Sequence, residues 1–104
     1  MIYVFHSGRL DKGSRVTVVG VFSNEVLKIA VSRCSKRDNF SRKQGRTIAS
    51  GRLIKEKYAL LLNSKLPPSN SDFIDVALSV ANYVDDTFNV YNLNLSSDIK
   101  DYIW

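Results

Sequence analysis

Nine basic residues, Arg33, Lys36, Arg37, Arg42, Lys43, Arg46, Arg52, Lys55 and Lys57, fall within twenty-five consecutive positions of this chain, where only Asp38 and Glu56 oppose them. The chemistry they favour is capture of phosphate. Guanidinium forks grip phosphate oxygens in pairs and stack on bases, and the segment holds five arginines to four lysines. Concentrated charge of this kind draws in polyanions and speeds their encounter. Outside the segment the balance reverses: from Leu66 onward a single lysine meets six aspartates. That contrast has a rival reading, in which the basic stretch is a solvated helix face and the acidic end neutralises it within the chain or across a homodimer.

Covalent and acid-base chemistry has less to work with. His6 is the only histidine, so neither a histidine pair for RNA cleavage nor a histidine-rich metal site can form within one chain. Cys34 is the sole cysteine; Arg33, Lys36 and Arg37 beside it would favour a thiolate, yet a packed thiol is the plainer expectation. Asp85 and Asp86 are adjacent and so point different ways on a helix, which suits solvent better than a cation. Gly45 and Gly51 have neither the spacing nor the following lysine of a phosphate-binding loop. The reading is of a non-enzyme with no cofactor and no metal.

The elements that must position these residues follow from periodicity. Ile2–Phe5, Arg15–Phe22 and Val26–Cys34 read as strands, the last two joined through Ser23, Asn24 and Glu25 as a hairpin whose Leu27, Ile29 and Val31 face the core. Asp38 offers a helix N-cap. On a helical wheel Phe40, Thr47, Ile48, Gly51 and Ile54 form the inward face, and Arg42 and Arg46 point away from it. Ser41, Gly45 and Ala49 then make a ridge of small residues along which a ligand backbone could approach. Residues 58–63 suit strand or helix equally, and the prolines after them end either one. Asp72–Asp86 reads as a helix with Phe73, Ile74, Ala77, Leu78, Ala81 and Val84 inward, capped by Ser69, Asn70 or Ser71. Thr87–Leu95 alternates like a strand, and residues 96–104 suggest a short turn or docked tail. The expected fold is a single α+β domain over residues 1–104, a small antiparallel sheet with two helices packed on one face. The chain has 104 residues, enough to bury one core unaided. No signal-peptide pattern or apolar run of membrane-spanning length is present, which points to the cytoplasm and away from membranes.

The run Cys34-Ser35, Asp38, Phe40-Ser41-Arg42-Lys43, Gly45-Arg46, Ile48-Ala49 and Gly51-Arg52-Leu53 resembles small basic accessory proteins of tailed bacteriophages, such as the RNA-binding ToxN-inhibitory factors of T-even-like phages. The resemblance covers about a quarter of the chain. It implies a non-enzymatic protein of the host-cell cytoplasm that binds RNA and blunts a host RNase toxin, with the basic residues of the motif as its RNA contacts. The residues expected to bind nucleic acid are Arg33, Lys36, Arg37, Arg42, Lys43, Arg46, Arg52 and Lys55. The alternatives are a DNA-binding protein, or an anti-defence inhibitor, anti-CRISPR-like, that docks on a host defence protein.

Overall fold

A computed structural model describes residues 1–55, 59–91 and 93 of the chain. Runs rich in β-branched residues form strands β1 (Ile2–His6), β2 (Arg15–Ser23) and β3 (Val26–Cys34). Helix α1 (Arg42–Ile54) follows, then strand β4 (Leu60–Asn63) and helix α2 (Asn70–Thr87). The four strands make one antiparallel sheet in the order β1-β2-β3-β4. Ser23 pairs with Val26 across the β2–β3 hairpin, so Asn24 and Glu25 alone make the turn, both at positive φ (52° and 62°). That left-handed pair matches the right-handed twist of the strands it joins.

The α+β class and the antiparallel sheet stand as the sequence indicates, but the helices do not share a face. Val16, Val18 and Gly20 of β2, with Leu27, Ile29 and Val31 of β3, turn toward α2, where Phe73, Ala77, Val80, Ala81 and Val84 close the main core. Thr17 and Val19, with Ala30 and Ser32, turn toward α1. The reason lies in β2 itself, whose run from Val16 to Phe22 is apolar or small at nearly every position and needs cover on both sides. Phe73 lies so close to the sheet that a Cβ on Gly20 would come within 2.6 Å of its ring. Tyr3 stacks on that ring at 4.8 Å.

Helix α1 begins later than Asp38 and is rotated from the wheel drawn for it. Ser41 is the N-cap, its hydroxyl accepting from the Gln44 amide, while the Asp38 carboxylate instead accepts from the Ser35 hydroxyl at 2.9 Å. The buried side chains are Ala49 and Leu53, and Gly45 presses on the sheet; Ile54 is 81 % exposed and Gly51 has open space around it. A Cβ on Gly45 would clash with the Thr17 hydroxyl and come within 3.2 Å of the Ser32 hydroxyl, which donates to the Gly45 carbonyl at 2.8 Å. Gly45 and Ala49 of the small-residue ridge therefore belong to the packing contact with the sheet, while Ser41 caps the helix.

Helix α2 starts at Asn70, capped by Ser69, and its buried stripe is also shifted from the one read off the sequence: Ile74 and Leu78 are exposed, while Val80, Tyr83 and Asp85 are inside. Phe88–Tyr91 form no strand; the rest of the strand expected to Leu95, except Leu93, and the turn expected over residues 96–104 lie outside the described residues. Asp85 is 1 % exposed and accepts from the amides of Lys12 (2.7 Å) and Ser14 (3.1 Å) in the β1–β2 loop. Burial alone would push its carboxyl up, but those amides, the Ser14 hydroxyl and the Arg33 charge together hold it below the usual carboxylate range.

The two glycines of α1 should respond in opposite ways to alanine. Gly51→Ala should stabilise by about 0.8–1 kcal/mol through helix propensity, whereas Gly45→Ala should cost about 1–3 kcal/mol through overpacking against Thr17 and Ser32; thermal melts of the two variants check this. Asp85→Asn should cost about 2–3 kcal/mol at pH 7, since two amides lose a charged acceptor. The folded pKa of Asp85 lies below its unfolded value of about 3.9, so its contribution is full above that pH and fades as pH falls through the folded value. Urea midpoints at pH 7 and pH 3 should accordingly show the gap between wild type and Asp85→Asn narrowing in acid.

Candidate nucleic-acid interface

The close seat of α1 decides where its cations go. With Gly45, Ala49 and Leu53 on the sheet, Arg42 and Arg46 are exposed on the first turns of α1, near enough to β1 that their charges act on His6. Arg15 joins them from β2, on the same sheet face as Thr17. Its guanidinium lies 4.0 Å over the Phe40 ring, and His6 meets the same ring edge-on at 5.8 Å. His6 Nδ1 is 2.9 Å from Thr17 Oγ1, the hydroxyl beneath Gly45. Burial, then the charges of Arg42, Arg46 and Arg15, hold the His6 imidazolium below its ordinary range. Among the described residues, none of these three arginines has a carboxylate partner.

Of the eight residues expected to bind nucleic acid, six are exposed: Lys36 and Arg37 in the turn after β3, Arg42, Lys43 and Arg46 on the first half of α1, and Lys55 at its end. Lys55 stands about 20 Å from Arg42 along the helix, so it does not belong to the same cluster. The other two are committed within the fold. Arg33 projects to the α2 side, donates to Ser14 Oγ at 2.7 Å and stacks 4.0 Å over Phe88. Arg52 donates to the Val31 carbonyl at 2.8 Å, beyond the last β3–β4 pair at Ile29 and Leu60, and lies 4.7 Å over the Tyr91 ring. Sequence reasoning missed Arg15, His6 and Phe40 as neighbours. The available signal was the alternation of β2, which puts Arg15 and Thr17 on one face.

Charge is segregated by the sheet. Helix α1 carries Arg42, Lys43, Arg46 and Arg52 with no acid, and α2 on the opposite face carries Asp72, Asp75, Asp85 and Asp86 with no base. Beside the first turns of α1 opens a cleft of ≈ 480 Å³, floored by Thr17 and Ser32, walled by Ser41, Gln44, Gly45 and Ile48, and bounded by Arg15, Cys34 and the loop from Asp38 to Phe40. The Cys34 sulfur sits 3.6 Å from the carbonyls of Ser35 and Asp38. Among the described residues no group of three or more His, Cys, Asp or Glu side chains is placed to hold a metal ion, and no helix is long and apolar enough to cross a membrane.

No protein-family model, curated protein or solved structure matches the chain.

The convergence of arginines on His6 is directly measurable. Replacing Arg42 and Arg46 together by alanine should raise the His6 pKa, followed by NMR titration of the imidazole, because two of the charges that disfavour its protonation are gone. An unchanged titration would show that the arginines point elsewhere.

Proposed function

We propose that this protein is a non-enzymatic RNA-binding protein that grips the phosphate backbone with the α1 face. The observation that carries the reading is the gathering of Arg15, Arg42 and Arg46 around His6 without a carboxylate partner among the described residues, on the face opposite the aspartates of α2. A structural cation cluster would be expected to recruit the chain's own acids; here Asp72, Asp75 and Asp86 lie across the sheet, on α2. Lys36, Arg37 and Lys43 widen the same basic surface. Arg33 and Arg52, being spent on Phe88, Ser14, Val31 and Tyr91, contribute field but not grip. Acting as the phage accessory factors that its basic segment resembles, such a protein would shield RNA from a host RNase toxin by occupying it.

Binding to single-stranded RNA through about five phosphates should give a log-log salt slope of roughly −3.5, and the double variant Arg42→Glu, Arg46→Glu should flatten it by about 1.4 while leaving the thermal melt in place. Filter binding across salt with RNA, single-stranded DNA and duplex DNA measures this; a slope near zero would remove the reading. Phosphate neutralises the arginines around His6, so binding should be accompanied by proton uptake and strengthen as pH falls from about 7 to 5.5, an effect that His6→Gln should abolish.

A further inference from the structure

We propose that the cleft beside α1 is a pocket for a single nucleotide carrying a phosphate monoester, which Arg15 receives. The ligand class rests on the RNA-binding reading above, while the cleft itself rests on separate observations. Arg15 Nε is buried and has no hydrogen-bond partner, no carboxylate is paired with the guanidinium among the described residues, and its guanidinium stacks on the Phe40 ring. A half-buried cation without an acceptor is a costly arrangement that a bound anion relieves. The cleft of ≈ 480 Å³ into which Arg15 opens falls in the range of about 300–1,000 Å³ typical of small-ligand sites.

The lining favours a chain end or a free nucleotide over a strand in passage. The lining reaches Ile48, and one turn further Arg52 is taken up by the Val31 carbonyl and Tyr91, so it does not offer the next phosphate of a passing strand a free cation. A phosphate monoester carries about −1.5 to −2 charge at pH 7 against the single charge of a diester, and so suits an uncompensated arginine better. Asp38 also lines the cleft, with its carboxylate accepting from Ser35. It repels phosphate from its own end and retains lone pairs for a ribose hydroxyl or a base amino group, while Gln44 offers an amide to a base edge. The phosphate is thereby directed to Arg15 and the nucleoside to the loop.

The test compares one short single-stranded RNA with hydroxyl ends, with a 5′-phosphate and with a 3′-phosphate, alongside a free nucleoside monophosphate and inorganic phosphate. The proteins are wild type, Arg15→Ala, Gln44→Trp to fill the cleft, and the Arg42→Glu, Arg46→Glu double variant. In wild type one of the phosphorylated ends should bind about tenfold or more tighter than the hydroxyl-ended strand. Arg15→Ala and Gln44→Trp should erase that advantage, Gln44→Trp leaving the hydroxyl-ended strand bound as in wild type and Arg15→Ala weakening it by no more than its one contact. The double variant should weaken every RNA and, through its added negative charge beside Arg15, the nucleoside monophosphate to a lesser degree. Tight binding of the free nucleotide with no preference for a phosphorylated end would identify the free nucleotide as the ligand and keep the pocket. Equal binding of all three strands with no nucleotide binding would overturn the pocket and leave the backbone reading intact. Inorganic phosphate binding as tightly as the nucleotide would overturn it as well, since the nucleoside would then contribute nothing. Nucleotide binding through Arg15 with no retention of any RNA would refute the backbone reading alone.

Discussion

A polar helix lies against this sheet by coming very close to it, and most of the architecture follows from that approach. Helix α1 offers only Ala49 and Leu53 as buried side chains, which is too little apolar surface to hold an ordinary helix-on-sheet contact. Gly45 makes up the difference by letting the helix backbone settle onto the hydroxyls of Thr17 and Ser32, one of which donates directly to its carbonyl. Arg42 and Arg46, though exposed, thus stand within electrostatic reach of His6, a residue of the sheet. The basic surface is part helix and part sheet for this reason.

The opposite face supplies the stability that α1 cannot. There the sheet and α2 share a continuous core from Tyr3 through Phe73 to Val84, and the end of that core is pinned by Asp85. Its carboxylate gathers the amides of the β1–β2 loop, Ser14 passes the connection to Arg33, and Arg33 covers the ring of Phe88, which ends α2 in a left-handed conformation with φ 59°. A bulky residue at positive φ is costly, and the stacked guanidinium is among the contacts that hold it. The arginines thus fall into two groups, with Arg33 and Arg52 stapling the fold while Arg15, Arg42 and Arg46 keep their charge uncompensated.

Much of this was legible in the sequence. A short apolar run located β1, β-branched composition located β2, period-two alternation located β3, and the apolar periodicity after Ser69 located α2. The phase of α1 was not legible, because Ser41, Gly45 and Ala49 are equally suited to meet a ligand or a sheet, and small side chains carry too little hydrophobicity to decide. Ile48 and Ile54 drew the wheel toward themselves although both are exposed. The two-sided burial of the sheet did leave a trace, in a β2 whose Val18, Val19, Gly20 and Val21 break strict alternation. Asp85 left none: a carboxylate satisfied by backbone amides inside a core looks in sequence like its exposed neighbour Asp86. Arg15 was overlooked because it lies outside the basic segment in the chain, though not in space.

The sheet also acts as a partition with a sign on each side. Under the proposed backbone-binding role the molecule would settle on a polyanion with α1 inward, and the outward surface of a decorated strand would be made of α2 and its Asp72, Asp75 and Asp86 side chains. Such a coat would replace a layer of phosphates with a layer of carboxylates, and the strand's outer charge would keep its sign. A second layer of the same protein would find an acidic lawn without a continuous backbone to grip. Neighbouring coated strands would repel one another instead of being glued together, as they would be by a protein that was basic all round.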